Sequence, residues 1–147
     1  MLSAIQIKRH VFTKVEVLCD PACPKTQESE SYEVNLASTE PSKDPGDPLW
    51  RMALDLRFGP DNKKQPVRYQ GHLTVQGVFE VHPEFDEDKC LDLVRMNGGS
   101  LLMGSIREMV LTITARSARG PFELPTFDAR MFLGKKPAEP EVESASE

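Results

Sequence analysis

The sequence predicts an α+β chain in which a four-stranded antiparallel sheet is covered by a long helix from the C-terminal half, plus a short final helix. Three observations carry this. Apolar and polar residues alternate strictly between Trp50 and Phe58 and again between Val67 and Val81. A single strong helical period runs through Ser100–Ala118. The links between the strand-like segments carry turn chemistry, which suits antiparallel neighbours with one wet face.

The first strand is expected over Ile5–Leu18, with Ile5, Ile7, Val11, Val15 and Val17 on one side and Lys8, His10, Lys14 and Glu16 on the other. Arg9 and Thr13 interrupt the apolar side, which points to a bulge or an edge position. A polar loop opened by Pro21 and Pro24 leads to a shorter strand on Tyr32, Val34 and Leu36. The following segment, Ser38–Pro48, is too rich in proline for a regular element. In the third strand Trp50, Met52, Leu54, Leu56 and Phe58 share a face, and Gly59-Pro60-Asp61-Asn62 ends it. The fourth places Val67, Tyr69, Leu73, Val75, Phe79 and Val81 on one face. Gly71 and Gly77 fall on that same face and mark a bend or a close approach by another group.

A short helix is expected within Phe85–Met96, then a Gly98-Gly99 turn, with Ser100 capping the main helix. Leu102, Ile106, Met109, Val110 and Ile113 form the stripe that covers the sheet. On the opposite side, Ser100, Gly104, Leu111, Ala115 and Ala118 make a strip of small residues where a monomer usually carries Lys and Glu. That strip predicts a second helix packed close against it, so Gly104, Leu111, Ala115 and Ala118 are candidate oligomer contacts. Residues 1–134 read as one domain, and 135–147, rich in Pro, Glu and Ser, as a disordered acidic tail.

Composition narrows the function. The 147 residues carry a net charge of −5, with a pI near 5.3, which disfavours a sequence-independent nucleic-acid binder. No apolar run approaches the ~20 residues of a membrane span, so no membrane insertion is expected. The N-terminus lacks the apolar block of a signal peptide, and three cysteines without a framework fit a reducing compartment; together these predict a cytoplasmic protein.

Reactive chemistry is thin. Cys19 and Cys23 supply at most half of a metal site, and the bland reading is loop cysteines. His72 lies on the wet face with no carboxylate or nucleophile nearby in sequence. The acidic residues Asp86, Glu87, Asp88 and Asp92 lack the spacing of a cation loop. Arg107 and Glu108 suit an ion pair between elements. No catalytic residue, cofactor or metal is expected, and the chain reads as a non-enzyme. What stands out is apolar bulk: Phe122, Leu124, Phe127, Met131 and Phe132, broken by Pro121 and Pro125 and joined by Tyr32. These residues either close the core or line a groove for apolar segments of a partner.

The segment Ser100-Leu101-Leu102-Met103-Gly104-Ser105-Ile106-Arg107-Glu108-Met109-Val110, followed by Arg119-Gly120-Pro121-Phe122, Leu124-Pro125 and Phe127-Asp128-Ala129, resembles the C-terminal half of the SecB protein-export chaperone family. Ile5–Lys14 and Gly77-Val78-Phe79 are similar to its first and a later strand, so the likeness spans about 130 residues in order. The resemblance implies a dimer of dimers with the long helices at the subunit contacts. It implies an ATP-independent holdase that binds unfolded preproteins and hands them to the SecA motor. Tyr32, Phe122, Leu124, Phe127, Met131 and Phe132 would touch clients. The positions by which the family docks the motor are Val15, Cys19 and His72 here, not acidic residues. Client holding is therefore implied more directly than motor docking. The alternatives are a SecB-like chaperone for a dedicated client such as an antitoxin, or a non-enzymatic adaptor for one folded partner.

Overall fold

The computed structural model describes residues 2–23 and 30–133. The expected tail, 135–147, and the domain boundary at 134 lie outside the described residues. Strands β1 (Ile5–Cys19), β2 (Tyr32–Ser38), β3 (Leu49–Pro60) and β4 (Tyr69–Val81) form one antiparallel sheet in the order β1-β4-β3-β2. Three consecutive strands form a meander and the first returns beside the last, a Greek-key order. Helix α1 (Glu87–Leu93), a π-turn (Val94–Gly98) and helix α2 (Gly99–Thr114) follow, and a 3₁₀ turn (Ala129–Leu133) ends the described chain.

The core lies between one face of the sheet and the helical layer. Met52, Leu54, Leu56 and Phe58 of β3 meet Tyr69, Leu73, Val75, Phe79 and Val81 of β4, all buried. Complete burial of a Leu or Val side chain contributes about 1.5–3 kcal/mol, so the two central strands supply most of the sheet's hold on the helix. Both glycines of β4 stand where other groups come close, as their apolar-face positions predict. A Cβ on Gly71 would lie 2.5 Å from the Glu16 carbonyl oxygen and 2.7 Å from the Phe58 ring. One on Gly77 would lie 2.7 Å from Leu102.

Strand β1 is both bulged and at an edge. Pairing passes from Ile7↔Phe79 to Arg9↔Val78 and from Phe12↔Val75 to Lys14↔Thr74, so Lys8 and Thr13 are the extra residues. Each one-residue shift turns the following side chains over. Between the bulges Phe12 therefore faces the core side and Val11 the open face, opposite Gln76, while His10 pairs with Gly77. This reverses the expected sides of Val11 and His10.

The helical layer differs from expectation in three ways. Gly98-Gly99 is not a turn: both residues are helical, and α1 runs through the π-turn into α2 without reversing. The two glycines serve close approach, since a Cβ on Gly99 would lie 2.5 Å from the Phe132 ring and one on Gly98 3.3 Å from Phe79. Ser100 does not cap a helix; inside the continuous helix its hydroxyl donates back to the Met96 carbonyl at 2.8 Å. The core stripe is rotated relative to the expected one. Leu102, Met103, Ile106, Val110 and Thr114 are buried, Met109 is half-buried, and Ile113 is exposed. The helix ends at Thr114, four residues before Ala118, because Thr114 and the turn beyond it are recruited to hold the following loop.

Candidate functional site

After α2 the chain crosses back over the open end of the core as a loop, residues 115–128, and four side chains of the folded body hold it. Arg68 donates to the Arg119 carbonyl at 3.2 Å, and the Tyr69 hydroxyl donates to the Gly120 carbonyl at 2.6 Å. The fully buried Thr114 hydroxyl accepts the Phe122 amide at 2.9 Å while donating to the Val110 carbonyl at 2.7 Å. Arg107 donates to the Leu124 carbonyl at 3.1 Å. Arg107 thus binds a carbonyl, not the carboxylate that its sequence context suggests. Gly120, at φ +80°, makes the left-handed turn that brings Phe122 inward.

This docking assembles an aromatic cluster. Phe122 packs on Tyr32, Phe58 and Tyr69 with ring centroids 4.8, 5.6 and 5.8 Å away, and the Arg68 guanidinium lies 5.9 Å from its ring. Arg68 also grips the Glu30 carboxylate, whose second oxygen accepts the Tyr32 hydroxyl at 3.1 Å. Burial, then the adjacent Glu30 charge, pushes the Tyr32 phenol well above its usual range, so it stays a donor. For Arg68, burial favours loss of the proton, but the Glu30 hydrogen bonds outweigh it and raise its pKa.

The six apolar residues expected to touch a partner fall into two groups. Phe122, Leu124 and Phe132 are buried in the core. Tyr32 and Phe127 are half-buried against it, and Met131 is 47% exposed. Tyr32 lies against Phe122 near the end of α2, whereas Met131 belongs to the 3₁₀ turn that packs on Gly99 at the start of α2. Val34 and Leu36 of β2 are also half-buried.

On the far side of α2, Gly104, Ala115 and Ala118 are exposed, Leu111 is half-buried, and Leu101 and Ile113 reach solvent at 41% and 37%. Among the described residues nothing lies within 4 Å of a Cβ placed on Gly104, and the strip is uncovered.

The sheet's open face holds a group that sequence distance concealed. Asp55 of β3 meets His72 Nε2 at 2.6 Å and accepts the Thr74 hydroxyl at 2.6 Å. Burial alone raises the Asp55 pKa; the bonds from Thr74 and His72 outweigh it and hold the carboxyl below its usual range. The hydroxyl bonds to the carboxylate and not to the imidazole, so the trio lacks the nucleophile–base contact of a triad. Val15 and Cys19 do not share this face with His72: they pair with Leu73 and Tyr69, on the core side of β1. The cysteines are separated in environment, Cys19 exposed and Cys23 buried, and burial raises the Cys23 thiol. Among the described residues no group of three His, Cys, Asp or Glu side chains is placed to hold a metal. No described helix is long and apolar enough to cross a membrane.

By sequence the chain matches no known family profile and no curated protein. By structure it is similar to the Mycobacterium tuberculosis Rv1957 SecB-like chaperone, solved in complex with a ChAD peptide from the Rv1956 HigA1 antitoxin. The TM-score is 0.65 at 18% identity, over 85% of this chain and 91% of that one. A Streptococcus agalactiae protein of unknown function aligns at a TM-score of 0.43 and 10% identity, over 83% of this chain and 97% of that one, too loosely to bear on the argument. The four-stranded sheet, the helix behind it and the returning loop are together the fold of a SecB-like chaperone.

Proposed function

We propose that this chain is a non-enzymatic, ATP-independent holdase of the SecB type, working as a homo-oligomer whose long helices pack along the Gly104–Ala115 strip. The observation that carries the reading is the fold likeness to a SecB-like chaperone over most of both chains. The outward-facing apolar residues Tyr32, Phe127 and Met131 around a loop anchored through its backbone support it, because adaptable apolar surface on a fixed frame suits varied unfolded segments. Phe122, Leu124 and Phe132 are buried and back the outward group from within the core.

Two purposes are open to such a holdase. The export purpose, with preproteins as clients and the SecA motor as receiver, follows from the family resemblance. The dedicated-client purpose is favoured by one observation: the similar structure carries an antitoxin peptide.

Titration with several reduced, permanently unfolded polypeptides tests the holdase reading. Binding to unrelated unfolded chains with no need for ATP is expected, and Met131→Ser weakens it without lowering the Tm. If unrelated unfolded chains all fail to bind while one folded protein does, the chain is an adaptor. Binding to the SecA motor at low salt, weakening as salt rises, selects export; none at low salt removes it.

A further inference from the structure

Three parts of the chain that lie far apart in sequence meet at one residue, Arg68, just before β4. Its amide donates to the Glu30 carboxylate at 2.8 Å, and its carbonyl accepts the Asp20 amide at 2.9 Å. Its Nε donates to both Glu30 oxygens at 3.1 and 3.0 Å, and its Nη1 to the Arg119 carbonyl at 3.2 Å. The end of β1, the approach to β2 and the crossover loop are thus tied to the start of β4. Arg119 closes the ring by donating to the Pro21 carbonyl at 2.6 Å. The Glu30 side chain is 11% exposed, and a carboxylate so covered needs its cation in place.

Both rings of one aromatic contact are set by this knot. Tyr32 is held from one side, because a Glu30 oxygen bonded to Arg68 also accepts the Tyr32 hydroxyl at 3.1 Å. Phe122 is held from the other side. Arg68 fixes the carbonyl three residues before it and places its guanidinium 5.9 Å from the ring. The two rings then meet at 4.8 Å, Phe122 buried and Tyr32 half-buried. We propose, resting on the holdase reading above, that Arg68 is a positioning residue for client contact. Acting through Glu30 and Phe122, it fixes the Tyr32 ring as a surface on which apolar side chains of an unfolded polypeptide settle. A loose ring gives up part of any contact to its own ordering, and a ring already held gives up less. The shape of the cation matters for this role. The guanidinium bonds a carboxylate and a carbonyl in two directions at once while lying over Phe122; a lysine ammonium has the charge without that shape. Met131 stands outside the knot, on the 3₁₀ turn packed at Gly99.

The test is a double-mutant cycle on binding of a reduced, carboxymethylated polypeptide that stays unfolded. The full chain is compared with Arg68→Lys, Tyr32→Ala and the double variant, each shown to be folded by circular dichroism. Arg68→Lys is expected to weaken binding about three- to tenfold, the scale of one lost hydrogen bond. In the Tyr32→Ala background the same change is expected to have no further effect, because the ring it positions is gone. Combined with Met131→Ser, its factor is expected to multiply in full. A purely structural Arg68 would lower the Tm without distinguishing these backgrounds. Equal factors in the Tyr32→Ala and wild-type backgrounds overturn the proposal, as does wild-type affinity in Arg68→Lys; the holdase reading survives both. If no unfolded polypeptide binds the wild-type chain, both fail. Should Arg68→Lys not fold, Glu30→Gln takes its place in the cycle. It leaves an oxygen for the Tyr32 hydroxyl and removes the charge that holds the guanidinium, so the same coupling to Tyr32 is expected, and its absence overturns the proposal.

Discussion

At the scale of single residues, Thr114 has the largest structural role for its size. Its hydroxyl joins the end of α2 to the start of the crossover loop, and the residue is wholly buried. Thr114→Val keeps the shape and removes the acceptor, leaving the Phe122 amide buried without a partner at a cost of about 1–3 kcal/mol. Denaturant unfolding is expected to show that loss, and Thr114→Ser is expected to recover most of the hydrogen-bond part of it. Asp55 gives a second residue-scale expectation. Its folded pKa is depressed, so its stabilising contribution is complete above the unfolded carboxylate value of about 3.9 and disappears as pH falls through the lower folded value. The Tm should therefore drop below about pH 4, and Asp55→Asn should flatten that acid limb while lowering the Tm at neutral pH. Neither residue was legible as important beforehand. Thr114 reads as one more weakly polar helix position, and Asp55 stands 17 positions from the imidazole it touches. Both depend on long-range register.

At the scale of elements, legibility followed burial symmetry. Strands β3 and β4 were readable because one face is wholly buried and the other wet, which leaves a period of two in the residues themselves. In β1 the sequence showed that something interrupts the strand, but not that Lys8 and Thr13 are the inserted residues, and so it misplaced Val11 and His10. The helix was misjudged at Gly98-Gly99 because the usual reading of two glycines is a turn, whereas here bare backbone lets aromatic rings approach. That gives a testable contrast. Gly99→Ala should push the Phe132 ring away and loosen the 3₁₀ turn at Ala129–Leu133, seen as faster amide exchange there. Gly104→Ala, in open space on an exposed helical face, should raise single-chain stability by about 0.5–1 kcal/mol through helix propensity alone.

At the scale of the whole molecule, the small-residue strip of α2 and the outer edge of β2 are uncovered among the described residues. If the strip joins subunits, Gly104→Glu and Ala115→Glu should each reduce the native mass measured by light scattering, with secondary structure intact. An unchanged mass in both would make the strip ordinary surface. The candidate client residues were legible as an apolar cluster, but their division into three buried and three outward-facing was not. That division follows from how the loop is fastened, and the fastening groups, Arg68, Tyr69, Arg107 and Thr114, lie outside the cluster itself.

All four of those fastenings end on main-chain atoms of the loop: the carbonyls of Arg119, Gly120 and Leu124 and the amide of Phe122. A loop held by its backbone is indifferent to most of its own side chains. Glu123, Pro125 and Thr126 are thus free to vary between descendants of this chain without disturbing how the loop is set down. On the holdase reading proposed above, shape is kept in one set of residues and taste for partners in another, so a lineage could exchange one client for the next by surface substitutions alone.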